Sequence, residues 1–163
     1  MCPNTLKTYD GFYSVYQPAG TGYSTIGVTQ KVTVWCDGMN EKGLATEYTF
    51  IRRKRLKDGF ICNLIGRLIL ETCANIEGDV SFLKNIPHYG LFSYVLKDTN
   101  QTKAAFVEAS RKNIEVRSGA AYTNHYQIMK KENHHYIKES KRRLEVMEKP
   151  IMFLQRGRQL CIY

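Results

Sequence analysis

An α+β domain built on mostly antiparallel sheet is what this sequence predicts, and three observations lead there. The first third is rich in β-branched and aromatic residues broken by Gly, Pro and Asn turns. One central block then switches to helical periodicity. Strand-like segments resume after it, joined by turn-length connections rather than by alternating crossover helices.

The segment 13–16, Tyr-Ser-Val-Tyr, reads as the first strand and is closed by Pro18 and a Gly-rich turn over 19–22. Segments 23–29 and 32–36 read as the next two strands. Asp37-Gly38-Met39-Asn40-Glu41-Lys42-Gly43 is expected to be a turn, with Gly38 and Gly43 permitting positive φ at its ends and Asn40 tolerating the left-handed region. The chain returns as a strand over 44–51, so a hairpin fits. A basic run at 52–57 and Asp58-Gly59 end the strand pattern. Ile61, Leu64, Ile65, Leu68, Ile69 and Cys73 recur at helical spacing and predict a core-facing helix over 60–74. Val80, Phe82, Leu83 and Ile86 predict a shorter helix over 78–86, ended by Pro87. Strands resume at 91–96 and 104–109 across the polar turn 97–101, with two further extended pieces at 113–117 and 120–124. From 133 to 148 the pattern turns helical and charged, with Tyr136, Ile137, Leu144 and Met147 as its apolar stripe.

The 163 residues suffice for one globular domain, and 43% apolar with 24% charged residues is the composition of a folded chain. No apolar run nears the roughly 20 residues that span a bilayer. The N-terminus shows no basic segment leading into an apolar stretch, so a cytoplasmic location is expected. Five cysteines, Cys2, Cys36, Cys62, Cys73 and Cys161, form no CxxC pair, which argues against a structural zinc or a disulfide framework; Cys62 and Cys73 are expected in the core. The net charge of +9 raises nucleic-acid binding, but the basic runs at 52–57 and 141–143 carry no interleaved aromatics. His134-His135 makes a poor metal pair, since adjacent helical residues face different ways.

The Asp37-Gly38-Met39-Asn40-Glu41-Lys42-Gly43-Leu44 stretch resembles the DxMNEKGL turn of the choloylglycine hydrolase and penicillin acyltransferase-like group of N-terminal nucleophile hydrolases. Leu70-Glu71-Thr72-Cys73 and Leu83-Lys84-Asn85-Ile86-Pro87 are similar to that group's next helices. Ser93-Tyr94-Val95-Leu96-Lys97-Asp98, Val107-Glu108-Ala109-Ser110 and Tyr122-Thr123-Asn124-His125 continue in the family's order, from about residue 9 to about 147. The resemblance implies a partial αββα sandwich, with 1–149 as a single partial domain and 150–163 as an unmatched tail. It implies cleavage of a linear amide C–N bond, or transfer of its acyl group, by an N-terminal cysteine whose α-amine is the base. A small acyl amide is the implied substrate, and no cofactor or metal is implied. Asn124 matches the family's oxyanion-hole amide. Arg142, or Arg143 beside it, comes after Ser140 as the family's active-site arginine does. The Asp37–Leu44 turn is expected to serve folding rather than chemistry.

The family opens with its cysteine on a strand and an Arg-Asn-x-Asp segment, whereas residues 5–18 here already resemble the part of the family's chain beyond that segment. The chain is therefore expected to be part of such an enzyme and inactive alone. Removal of Met1 would expose Cys2 as the N-terminal thiol, although Pro3 disfavours that removal. Two alternatives stand beside this reading. One is a non-catalytic remnant that binds an amide or pairs with a second copy or a complementing chain through open sheet edges. The other is a basic nucleic-acid-binding module.

Overall fold

The structure is a computed structural model and describes residues 12–30, 34–51, 58–101, 103–119, 121–133 and 137–158. Cys2, Cys161, the basic run 52–57, His134, His135 and Tyr136 lie outside the described residues. Seven strands form one antiparallel sheet in sequence order: β1 (Phe12–Tyr16), β2 (Thr25–Gln30), β3 (Val34–Asn40), β4 (Leu44–Ile51), β5 (Leu91–Asp98), β6 (Lys103–Ala109) and β7 (Ile114–Arg117). Helices α1 (Cys62–Thr72) and α2 (Ile76–Asn85) fill the long β4–β5 connection, and α3 (Lys138–Arg158) comes after the last strand. The expected α+β class and antiparallel pairing are both observed.

Because side chains alternate across a strand, the register sorts the sheet into two faces. On the first, Leu44, Phe92, Tyr94, Leu96, Ala105, Val107 and Ala109 pack with Ile65, Ile69 and Leu83 of α1 and α2 into the main core. Helix α1 lies against β3 and β4, and α2 against β5, β6 and β7. Cys62 and Cys73 are buried in the main core, as expected of core thiols. The second face is covered where Ile51 and Leu91 meet Tyr126 in a smaller cluster.

The Asp37–Gly43 stretch is not a single turn. Strand β3 runs on through Asn40, and only residues 41–43 turn, with Gly43 at φ 80°. Gly38 serves close approach instead of positive φ. It faces Gly27 across the β2–β3 pair, and a Cβ on it would lie 2.9 Å from a Leu70 methyl and 2.8 Å from the Ile26 carbonyl. Helix α1 can therefore settle directly onto the strand. Likewise β5 absorbs Lys97 and Asp98 from the expected polar turn, and residues 121–124, the described part of the expected 120–124 piece, are not a strand. Helix α3 starts later than the charge pattern suggested and continues to Arg158, across the expected 149/150 boundary.

Asn40 joins this hairpin to α1. Its Nδ2 donates to the carbonyls of Leu70 at 2.9 Å and Cys73 at 2.8 Å, which the helix end leaves without internal donors. Its Oδ1 accepts the Lys42 and Leu44 N–H groups, both at 3.1 Å, closing the turn. A buried amide thus uses its whole hydrogen-bonding capacity on the backbone, which supports the expectation that the turn serves folding. The two hairpin tips also hold each other: Asn100 Nδ2 donates to the Lys42 carbonyl at 2.6 Å, and Thr99 Oγ1 to that of Gly43 at 3.0 Å. Helix α2 is capped by Asn75, whose Oδ1 accepts the Gly78 N–H at 2.9 Å.

Two buried titratable groups in the helix layer oppose each other in pH. Among the described residues, fully buried Asp79 has no hydrogen-bond partner for either carboxyl oxygen, and burial pushes its pKa well above the usual carboxylate value and favours the protonated form. His88 donates Nε2–H to the Leu83 carbonyl at 2.9 Å and buries an Nδ1 with no partner among the described residues, so burial lowers its pKa.

Asn40→Ala is expected to cost ~3 kcal/mol in denaturant unfolding, since two helix-end carbonyls and two turn N–H groups lose their partner inside the fold. Asp79 contributes stability below the unfolded carboxylate pKa and loses it as pH rises through the raised folded value. Asp79→Asn is accordingly expected to raise Tm by about 2–4 °C near pH 8 and by much less near pH 4. Equal shifts at both pH values would contradict a neutral buried acid. His88 has the opposite sign: its contribution is present above the ordinary imidazole value of 6.5 and is lost as pH falls below it.

Candidate functional site

The site builds outward from Glu108. This residue sits in β6 with its side chain on the second face, fully buried. A carboxylate so placed needs donors, and the chain supplies three consecutive backbone N–H groups. Gln127 and Ile128 donate to Oε1, and Ile128 and Met129 to Oε2 at 3.0 and 2.8 Å. The Arg117 Nε lies 3.9 Å from Oε1 as an ion pair, while its guanidinium stacks over the Phe106 ring at 4.5 Å. The segment after β7 is thereby drawn across the second face. Tyr126 is carried inward with it, fully buried, its hydroxyl within hydrogen-bond reach of the Ala109 and Phe92 carbonyls. Asn133 closes the loop by pairing both its amide oxygen and nitrogen with the Tyr126 backbone, each at 2.8 Å.

Asn124 stands at the start of this loop, on a bend rather than at a strand end, and is exposed. Its Nδ2 donates to the Phe50 carbonyl near the end of β4 at 3.2 Å. Its Oδ1 accepts from Arg143 Nη2 at 2.7 Å. Of the two arginines after Ser140, it is therefore Arg143 that reaches Asn124. Arg142 is three-quarters exposed and approaches Glu139 at 3.9 Å. Cys2 lies outside the described residues, so the structure brings together Asn124 and Arg143 alone.

Beneath this pair lies a buried three-residue clasp. Thr123 Oγ1 donates to the Ser140 carbonyl at 3.0 Å, and His125 Nδ1 lies 3.1 Å from Thr123 Oγ1 and 2.8 Å from Ser140 Oγ. The Thr123 proton is already committed to the carbonyl, so its oxygen can only accept from the ring. In the neutral imidazole, a proton on Nδ1 donates to either hydroxyl oxygen, and a proton on Nε2 leaves Nδ1 to accept from Ser140 Oγ. Burial, reinforced by Lys141, lowers the His125 pKa and favours that neutral form. The clasp fixes the first turn of α3 to the residues flanking Asn124, and so delivers Arg143 to it. The sequence pattern marks Asn124 and the arginines but neither the clasp nor Glu108. A glutamate inside the otherwise apolar run Phe106-Val107-Glu108-Ala109 is the one local signal for the latter.

Three comparisons with known proteins bear on this arrangement. A family model described as acyl-coenzyme A:6-aminopenicillanic acid acyl-transferase matches residues 4–153. Among solved structures, penicillin V acylase from Agrobacterium tumefaciens is similar at 21% identity over 60% of this chain and 33% of that one, with a TM-score of 0.48. A variant of conjugated bile acid hydrolase from Clostridium perfringens is similar at 17% identity over 58% of this chain and 35% of that one, with a TM-score of 0.45. The chain spans about a third of the length of these two structures. No curated protein matches. With the family match running through the sheet, the helices that back it and the Asn124 loop, the chain belongs to the acyl-coenzyme A:6-aminopenicillanic acid acyl-transferase family of N-terminal nucleophile enzymes.

Proposed function

We propose that this chain supplies the helix-backed part of a site that cleaves a small linear acyl amide or transfers its acyl group, with Asn124 as an oxyanion donor. The observation that carries the reading is the clasped Arg143–Asn124 pair. As a nucleophile adds to an amide carbonyl, negative charge collects on the oxygen, and donors already in place lower that barrier. Asn124 Nδ2 bears two hydrogens and gives one to Phe50, leaving the other for such an oxygen. The Arg143 cation on Oδ1 draws electron density through the carboxamide and strengthens that N–H as a donor. Arg143 is then a positioning residue.

On this reading the nucleophile is an N-terminal cysteine with its own α-amine as base, a place that Cys2 takes only where Met1 is removed. The two thiols with described surroundings do not compete for the role. Cys62 and Cys73 are buried with the helices that cover the other face of the sheet, and burial pushes the Cys73 thiol up to about 11, which keeps it protonated. A second reading, a module that pairs with another chain, draws support from one observation. On strands β1 to β3 the second face leaves Tyr13 89%, Val15 68%, Ile26 52% and Met39 39% exposed, an apolar stripe beside an edge strand.

Titration with an N-acyl amino acid, monitored by NMR, is expected to shift the Asn124 side-chain amide resonance, and Arg143→Ala to weaken that response. An unmoved resonance would end the amide-site reading. The 163-residue chain alone is expected to show no enzyme-like turnover on a panel of acyl amides. Turnover abolished by Cys2→Ala, in protein shown by mass spectrometry to lack Met1, would reverse that expectation; Asn124→Ala should then slow it by about 10²–10³-fold.

A further inference from the structure

Between the Glu108-anchored loop and α3 lies a cavity of about 460 Å³, within the range of small-molecule sites. Asn124 and Arg143 do not line it. Its apolar wall is formed by Tyr126, Ile137 and Leu144, of which Tyr126 and Leu144 are buried. Its charged lining is Lys130, Lys141 and Glu148, which sums to one net positive charge. Gln127 also lines it and holds a buried Nε2 that finds no acceptor among the described residues. Asn133 commits its Oδ1 and one Nδ2 hydrogen to the Tyr126 backbone, which leaves one further Nδ2 hydrogen.

A buried N–H without an acceptor is costly, and a binding partner that supplies one recovers that cost. Two ammonium groups at the same cavity select for negative charge, and Glu148 disfavours more than one unit of it. The apolar wall gains from a hydrocarbon body. We propose that this cavity is a binding site for a small organic monoanion, a carboxylate on a short apolar body, received by Lys130, Lys141 and the Gln127 amide. The acid's oxygens would accept from Gln127 Nε2 and the lysines, and its hydrocarbon part would lie on Ile137 and Leu144. Neither Asn124 nor Arg143 lines the cavity, although His125 of the clasp beside them does.

Hexanoate, hexanamide and inorganic phosphate are the probes, titrated into the full chain and monitored by calorimetry and by the Gln127 side-chain amide resonance. Hexanoate is expected to bind and shift that resonance, and hexanamide, of the same size without the charge, to bind at least about tenfold more weakly. Lys130→Gln and Lys141→Gln should each weaken hexanoate several-fold. Both lysines are exposed, so the circular dichroism and Tm of these variants should match the parent. Asn124→Ala should leave hexanoate binding unchanged, which separates this site from the proposed catalytic one. Equal binding of hexanoate and hexanamide, an unmoved Gln127 resonance, indifference to both lysine substitutions, or displacement of hexanoate by an equal concentration of phosphate would each overturn the proposal.

Discussion

A carboxylate removed from water must find its donors in the protein or give up its charge. Glu108 finds three of them in consecutive peptide N–H groups, and the geometry around Asn124 depends on that arrangement. Charge-assisted bonds of this kind are stronger than neutral ones and strongly directional. They therefore fix the course of a loop that has no helix or strand over residues 121–129 to define it. Once residues 127–129 are held to β6, Tyr126 is carried inward to the ends of β5 and β6, Asn133 closes the loop behind it, and Thr123 and His125 come within reach of Ser140. Asn124 and Arg143 meet at the end of that sequence of contacts.

The two faces of the sheet are held by different physics. On the helix side, apolar area does most of the work, and Asn40 adds the specificity by matching a helix end to a hairpin turn. Its four bonds leave no capacity for chemistry, which explains why so distinctive a sequence stretch contributes nothing to the site. The second face has a small apolar cluster of Ile51, Leu91 and Tyr126 and relies on buried polar groups for the rest. Buried polar networks of this kind are sensitive to any missing member. Buried charge with hydrogen-bond donors around it, Glu108 above all, lies on this face, and burial on the helix face favours the neutral forms of Asp79 and His88.

The sequence by itself determined the class and the order of elements. Strand segments of β-branched and aromatic residues, one block of 3.6-residue periodicity and short turns are local signals, and the antiparallel meander of the sheet results from them. It also marked Asn124, through the Tyr122-Thr123-Asn124-His125 stretch, and the arginine pair after Ser140. Only the tertiary structure decided which arginine reaches Asn124, because Arg142 and Arg143 are neighbours in sequence but point differently from the helix, and it is Arg143 that donates to Asn124. It likewise decided that β3 runs through Asp37 and Gly38, since what a Gly-Gly pair across two strands permits is visible only once Leu70 lies over it. Glu108 and the His125 clasp were out of reach for the same reason. Their partners stand 15 to 21 residues away in the chain, and no local pattern encodes a contact that depends on how a loop crosses a sheet.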